Sequence, residues 1–397
     1  MARLLSYSLL SRVSWWQGNY KERKIMSEYF GKDVPKLGFG LMRLPKLEDG
    51  TIDIEQTKQM VDRFLAAGFT YFDTAYVYTG SEDAARQALV ERYPRDSYTL
   101  ATKINALMAC TDEESCKKQF QPSLDRTQAG YCDYYLLHAL QTSNFQRYDD
   151  YHIWDFVHEQ KEKGLVKHMG FSFHATPELL DELLTKHPEV DFVQLQLNYA
   201  DWDNPSITSR ANYEVARAHG KSIVVMEPIK GGTLAAPPQQ VADILKAAEP
   251  EASLASWAIR YVASLDGIIT VLSGMSDMQQ MEDNVSYMEH FKPFTDDEQA
   301  AIRRAQKALA EIEQVPCTAC HYCTPGCPAH IHIPEIFSAL NRELVWGQTE
   351  LAKKGYEDAK KEGALASACL RCGQCERACP QQIKCMSWLE HAAEVFE

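Results

Sequence analysis

The sequence predicts an α/β fold, a closed (β/α)8 barrel followed by a mainly helical, cysteine-rich unit, and three observations carry that prediction. From Leu37 to about Leu272, short apolar runs alternate with amphipathic stretches, the signature of repeated strand–helix units in a parallel sheet. Of the twelve cysteines, only Cys110, Cys116 and Cys132 precede Cys317, so the thiols concentrate near the C-terminal end. A chain of 397 residues holds a barrel of roughly 250 to 300 residues with room for an appendage.

The strands are expected in order at Leu37–Leu41, Tyr71–Thr74, Tyr98–Lys103, Tyr134–His138, Lys167–Ser172, Phe192–Leu197, Ser222–Met226 and Ile268–Leu272. Between them lie helical patterns such as Ile54–Ala67, Ser81–Glu91, Ile153–Lys163, Pro177–Thr185 and Ser253–Ser264. Eight units favour a closed TIM barrel over an open sheet, and such barrels place their chemistry at the C-terminal strand ends. Thr295 before three acidic residues predicts a helix start, and the helix runs over about Asp296–Ile312. The barrel domain is therefore expected over 26–312 and the second domain over 313–397, with helices at Glu335–Leu344 and Glu350–Glu362 separated by Gly347.

Composition narrows the function. A hydrophobic content of 45% and a charged content of 24% supply a full core, and a net charge of −14 opposes a nucleic-acid surface. Residues 1–25 lack an apolar run long enough to span a membrane, and Ser11, Arg12 and Ser14 interrupt any signal-peptide core. They read as an N-terminal extension, disordered or arising from an upstream start codon.

Cys317, Cys320, Cys323 and Cys327 before Pro328 form C-x2-C-x2-C-x3-C-P, and Cys369, Cys372, Cys375 and Cys379 before Pro380 repeat it. Three closely spaced thiolates wrap three corners of an iron–sulfur cube, and the fourth ligates the other cube in two-cluster ferredoxins. The spacing thus predicts two 4Fe–4S clusters, one held by Cys317, Cys320, Cys323 and Cys379, the other by Cys369, Cys372, Cys375 and Cys327. A pair of zinc sites is the alternative, opposed by the third cysteine and the proline of each motif. Cys110, Cys116, Cys132 and Cys385 fall outside the pattern and read as buried thiols, while His321 lies inside the first loop. Thiolate ligands need a reducing compartment, so a cytoplasmic location is expected.

Four polar residues fall at or just past strand ends in the barrel: Asp73, Tyr78, Lys103 and His138. A phenol with a pKa near 10 is a poor proton donor at neutrality unless a cation favours its ionised form. Lys103 is placed to supply that cation, Asp73 to balance the lysine, and His138 to orient a carbonyl oxygen. After the seventh run, Pro228 to Gly232 offers Lys230 and the amide of Gly231 to a phosphate, or is simply a glycine-rich turn.

These four residues, in this order, resemble the Asp–Tyr–Lys–His tetrad of the aldo-keto reductase family over roughly residues 33–290. The whole chain is similar to the subgroup with a C-terminal dicluster ferredoxin-like domain. The resemblance implies that Tyr78 is the general acid for a small carbonyl-type substrate and that NAD(P)H lies across the barrel top. It also implies that Ser172 and Gln194 hold the carboxamide and that Asn284 meets the adenine end. Phe173 and Met226 depart from the family's asparagine and stacking tyrosine, and Gly274 and Gln280 replace the cations that grip the NADP 2′-phosphate.

A hydride carries two electrons and each cube accepts one, so a flavin is the expected splitter. Three readings follow. The barrel reduces or oxidises a carbonyl-type substrate while the cubes exchange electrons with a carrier such as a ferredoxin or flavoprotein. Alternatively, an NAD(P)H-dependent carbonyl reductase carries structural or redox-sensing cubes. The third reading is a non-catalytic electron-transfer subunit.

Overall fold

The structure is a computed structural model describing residues 28–107, 110–205, 207–317, 319, 321–379 and 381–397. The extension read over residues 1–25 lies outside the described residues, as do Cys320 and Pro380. Eight strands close into a parallel barrel: β1 (Leu37–Gly40), β2 (Tyr71–Asp73), β3 (Thr99–Ile104), β4 (Cys132–Leu140), β5 (Val166–Phe173), β6 (Phe192–Gln196), β7 (Ser222–Met226) and β8 (Ile268–Ser273). Closure comes from β1 beside β8, with Leu37 opposite Val271 and Phe39 opposite Ser273. All eight expected strands are present, with ends displaced by a few residues.

Inward-facing Tyr71, Ala101, Tyr134, Leu136, Phe192, Val224, Ile269 and Leu272 fill the barrel, so its interior is a packed core. Filling it with rings requires a gap elsewhere. At Gly170 a Cβ would stand 2.6 Å from the Phe192 ring and 2.7 Å from the Phe192 carbonyl oxygen, a space that only glycine leaves. Phe30 closes the N-terminal end, its ring centroid 4.5 Å from that of His168. The opposite end is left to the strand-to-helix turns.

One irregularity there matters. The β4–β5 register shifts between Leu137 and Leu140, and Ala139 takes φ +57°. Such a bulge re-aims the residue beside it, and that residue is His138.

The Asp296–Glu311 helix starts as expected, with reciprocal Thr295 and Glu298 capping bonds, and packs Ile302, Ala305 and Leu309 with Val241 and Leu245. In the C-terminal part, helices Ile333–Trp346 and Thr349–Glu362 meet through Gly347, whose φ of +60° ends the first of them. A third helix, Cys385–Phe396, was not anticipated; its Leu389 and Ala392 join a core with Ile336, Phe337 and Leu340. The two parts touch where Trp346 packs into the Asp296–Glu311 core and Gln348 Nε2 donates to Thr233 Oγ1 at 3.1 Å.

Candidate active site and cysteine cavities

Adjacent strands carry the four polar residues to one end of the barrel. Asp73 ends β2, Lys103 stands near the end of β3 and His138 near the end of β4, while Tyr78 lies on the turn after β2. Lys103 is fully buried, and its Nζ donates to Asp73 Oδ1 and to the Thr74 carbonyl oxygen, each at 2.6 Å. That ammonium lies 5.1 Å from the centroid of the Tyr78 ring, and the His138 ring meets Tyr78 edge-on with centroids 5.5 Å apart. The hydroxyl of buried Tyr148 donates to the His138 carbonyl oxygen and fixes the bulged backbone.

The electrostatics differ from the sequence expectation in one respect. Burial pushes the Tyr78 phenol above its ordinary value, and the opposing Lys103 charge does not reverse it. The expected lowering by the lysine is corrected: desolvation wins because the whole cluster is removed from water. Tyr78 therefore holds its proton at neutral pH. Burial also acts against the Lys103 charge, but Asp73 and Tyr78 outweigh it and keep the amine protonated. For His138, burial, with Lys103 and His174 adding to it, brings the imidazole down to about 3. The ring is neutral, and its buried Nδ1 meets no partner among the described residues.

Ser172 and Gln194 stand opposite each other on β5 and β6, both buried. Ser172 Oγ accepts from the Ala139 amide at 2.7 Å, and Gln194 Nε2 reaches Met226 Sδ at 3.5 Å. Gln194 Oε1 has no partner among the described residues, so a buried acceptor stands ready for an amide N–H. This donor and acceptor set fits a carboxamide.

The outer residues behave otherwise. Lys230 Nζ, expected to meet a phosphate, is bound to buried Asp201 Oδ1 at 2.6 Å. The Asn284 amide is engaged at both ends, donating to Ser273 Oγ at 2.9 Å and accepting from the Tyr287 hydroxyl. Phe173 packs into the core outside the strands. Sequence reasoning missed Arg43 and Glu227, which face each other across the barrel mouth at 3.5 Å. Only Glu227's φ of +54° marks that spot as unusual, and no sequence signal reports it.

The cysteines gather around two spaces. Cys317, Cys323 and Cys379, with His321, Ile333 and Cys385, line one of them. Cys327, Cys369, Cys372 and Cys375, with Ile333 and Leu389, line the other. Among the described residues the first space draws Cys317 and Cys323 from the first motif and Cys379 from the second, and the other draws Cys369, Cys372 and Cys375 from the second motif and Cys327 from the first. Among the described residues no three His, Cys, Asp or Glu side chains converge on a single metal-ion position. The donor set, thiolates from both motifs around each space, is that of a crossed pair of iron–sulfur cubes. Cys385, read as an ordinary buried thiol, is buried but lines the first space.

The model of the aldo/keto reductase family matches residues 36–307, and that of a 4Fe-4S dicluster domain matches residues 316–383. Among curated relatives, methylglyoxal reductase DkgA of Yersinia pestis is 26% identical over 159 residues, 39% of this chain and 51% of that protein. The chain thus spans about half the length of that relative. Among solved structures, the holo form of aldo-keto reductase AKR11C1 from Bacillus halodurans is 25% identical with a TM-score of 0.57, covering 70% of this chain and 95% of that one. An aldo/keto reductase from Klebsiella pneumoniae in complex with NADP and acetate shares the fold at 18% identity, with a TM-score of 0.56 over 68% of this chain and 91% of that one.

Proposed function

The chain belongs to the aldo/keto reductase family, and on that premise we propose that its barrel reduces a small carbonyl-type substrate with NAD(P)H. The observation that carries this reading is the buried Asp73–Lys103 pair beside a protonated Tyr78 and a neutral His138. A nicotinamide, when bound, would supply the hydride, and Ser172 and Gln194 Oε1 would hold its carboxamide. Tyr78 gives its proton to the substrate oxygen as negative charge develops there, and the buried ammonium of Lys103 stabilises the phenolate that remains. His138, uncharged, donates a hydrogen bond to the same oxygen and orients it. Neither the site nor the comparisons support a flavin, and that expectation is dropped.

In the C-terminal part, from near Glu313, Cys317, Cys320, Cys323 and Cys379 are assigned as ligands of one 4Fe–4S cube and Cys369, Cys372, Cys375 and Cys327 as ligands of the other, with Cys385 a neighbour of the first and not a ligand. We assign the cubes a structural or redox-sensing role. The Ile333–Trp346 helix lines both cysteine spaces at its first residue and meets Lys230 of the barrel at its last, Trp346. At 1.5 Å per residue, about 20 Å of helix separates the two contacts. Exchange with an external one-electron carrier is a second reading, favoured by the exposure of Cys372. Among the described residues no helix is long and apolar enough to cross a membrane, and the need of thiolate ligands for a reducing compartment supports a cytoplasmic location.

The test is anaerobic oxidation of NADH and NADPH against a panel of aldehydes and ketones. Turnover that Tyr78→Phe leaves undiminished would refute the catalytic assignment.

A further inference from the structure

We propose that Arg43 grips the diphosphate of a nicotinamide dinucleotide at the barrel mouth and that Glu227 holds it in place until the dinucleotide arrives; the inference rests on the nicotinamide reading above. A diphosphate is held most strongly by a cationic partner, and Lys230, the residue expected to supply one, is bound to Asp201.

Arg43 fills that gap from a different strand. It stands in the turn Leu41–Arg43 directly after β1, and β1 closes the barrel between β8 and β2. Its stem crosses Gly274 after β8, where a Cβ would lie 3.8 and 3.9 Å from the arginine Cβ and Cδ. Its guanidinium reaches Gly231 after β7, where a Cβ would lie 3.8 and 3.9 Å from the two terminal nitrogens. One side chain therefore spans both turns, and glycine on each side lets a ligand approach closely. The stem, not the charge, lies at Gly274. The charge sits over the glycine-rich turn after β7, which assigns it to the diphosphate and not to the 2′-phosphate of NADP.

The pairing with Glu227 has the properties of a holding contact. At 3.5 Å, with side chains 48% and 37% exposed, it is a weak, solvent-screened pair. A guanidinium leaves such a partner readily for two parallel bonds to phosphate oxygens. Glu227 is held in its left-handed conformation at the end of β7, where Asn198 Nδ2 donates to its carbonyl oxygen at 3.2 Å. Strain of this kind in a non-glycine residue concentrates at binding sites. Because NADH and NADPH share the diphosphate, Arg43 serves both alike.

The experiment titrates full-length, iron-loaded protein anaerobically with NADH and with NADPH, reading nicotinamide fluorescence, with inorganic pyrophosphate as competitor. Arg43→Gln is expected to raise the Kd of both dinucleotides by roughly tenfold to a hundredfold, the range for charge-assisted hydrogen bonds, and to weaken pyrophosphate competition. Arg43→Lys, which keeps the charge but loses the fork, falls between. Glu227→Gln, which removes the competing carboxylate, tightens both. Circular dichroism and cluster absorbance identify any variant that has not folded. Unchanged Kd values in Arg43→Gln overturn the proposal, and so does a loss confined to NADPH, which moves Arg43 to the 2′-phosphate. If the unmodified protein binds neither dinucleotide, the nicotinamide reading itself fails.

Discussion

The barrel and the C-terminal part solve the problem of holding a site in opposite ways. The barrel's proposed catalytic residues ride on a closed sheet whose core is complete without them: a filled interior and a continuous apolar layer between strands and helices. The C-terminal part has a smaller core, and the cysteines themselves belong to it, with Cys375 and Cys385 buried and Cys317, Cys323, Cys327, Cys369 and Cys379 packed at its edge. In the first region the fold positions the chemistry. In the second, the proposed metal groups and the fold would form one unit, as in other small domains whose core needs a metal to be sufficient.

The largest effect should come from the barrel without disturbing its fold. Tyr78→Phe removes one oxygen atom and leaves the ring beside Lys103, so carbonyl reduction should fall by about 10²- to 10⁴-fold while the thermal transition stays put. A collapse of stability comparable with the loss of activity would erase the contrast between fold and site.

Iron removal probes the other side. Anaerobic chelation should strip hydrogen-exchange protection from Ile333–Trp346, Thr349–Glu362 and Cys385–Phe396 and leave the eight strands protected. Uniform protection loss would show a single cooperative unit. A sharper test replaces Cys379 by Ala. Crossed ligation predicts loss of the cube held by Cys317, Cys320 and Cys323 and retention of the cube held by Cys327, Cys369, Cys372 and Cys375, with iron content roughly halved. Loss of the second cube instead would make each motif self-contained.

A smaller effect is expected at Gly170. Alanine there drives a methyl group into Phe192, and the cost should be about 1–3 kcal/mol in denaturant unfolding, confined to the barrel.

The pH profile should be the least eventful. Tyr78 acts in its protonated form and burial raises its pKa, so the alkaline limb should begin only above about pH 10. His138 stays uncharged down to about 3. Neither Tyr78 nor His138 should therefore give a limb between these limits, and any acid limb should belong to Asp73, whose carboxyl burial raises above its ordinary value against the pull of Lys103.

Much of this contrast was legible in the sequence because it rests on spacing. Alternating runs gave the strands, fixed offsets gave the cysteine motifs, and strand-end positions gave Asp73, Tyr78, Lys103 and His138. What stayed hidden depends on three-dimensional proximity. Lys230 looks like a phosphate ligand until Asp201, far along the chain, is seen to bind it. Arg43 sits in an unmarked turn and matters only because β1 closes beside β8. The direction of the Tyr78 shift depends on burial, which no residue string reports. The Cys385–Phe396 helix was missed because the cysteine motif just before it drew the reading to metal ligation instead of to the periodicity of Leu389 and Ala392.

The central claim is that the barrel completes its chemistry without electrons from the cubes. The most direct measurement is NAD(P)H-driven carbonyl reduction by the Cys379→Ala protein under anaerobic conditions, with barrel integrity checked by hydrogen exchange. The account predicts a rate within a few-fold of the unmodified protein. A rate that falls in step with the lost cube while the barrel stays folded would contradict it.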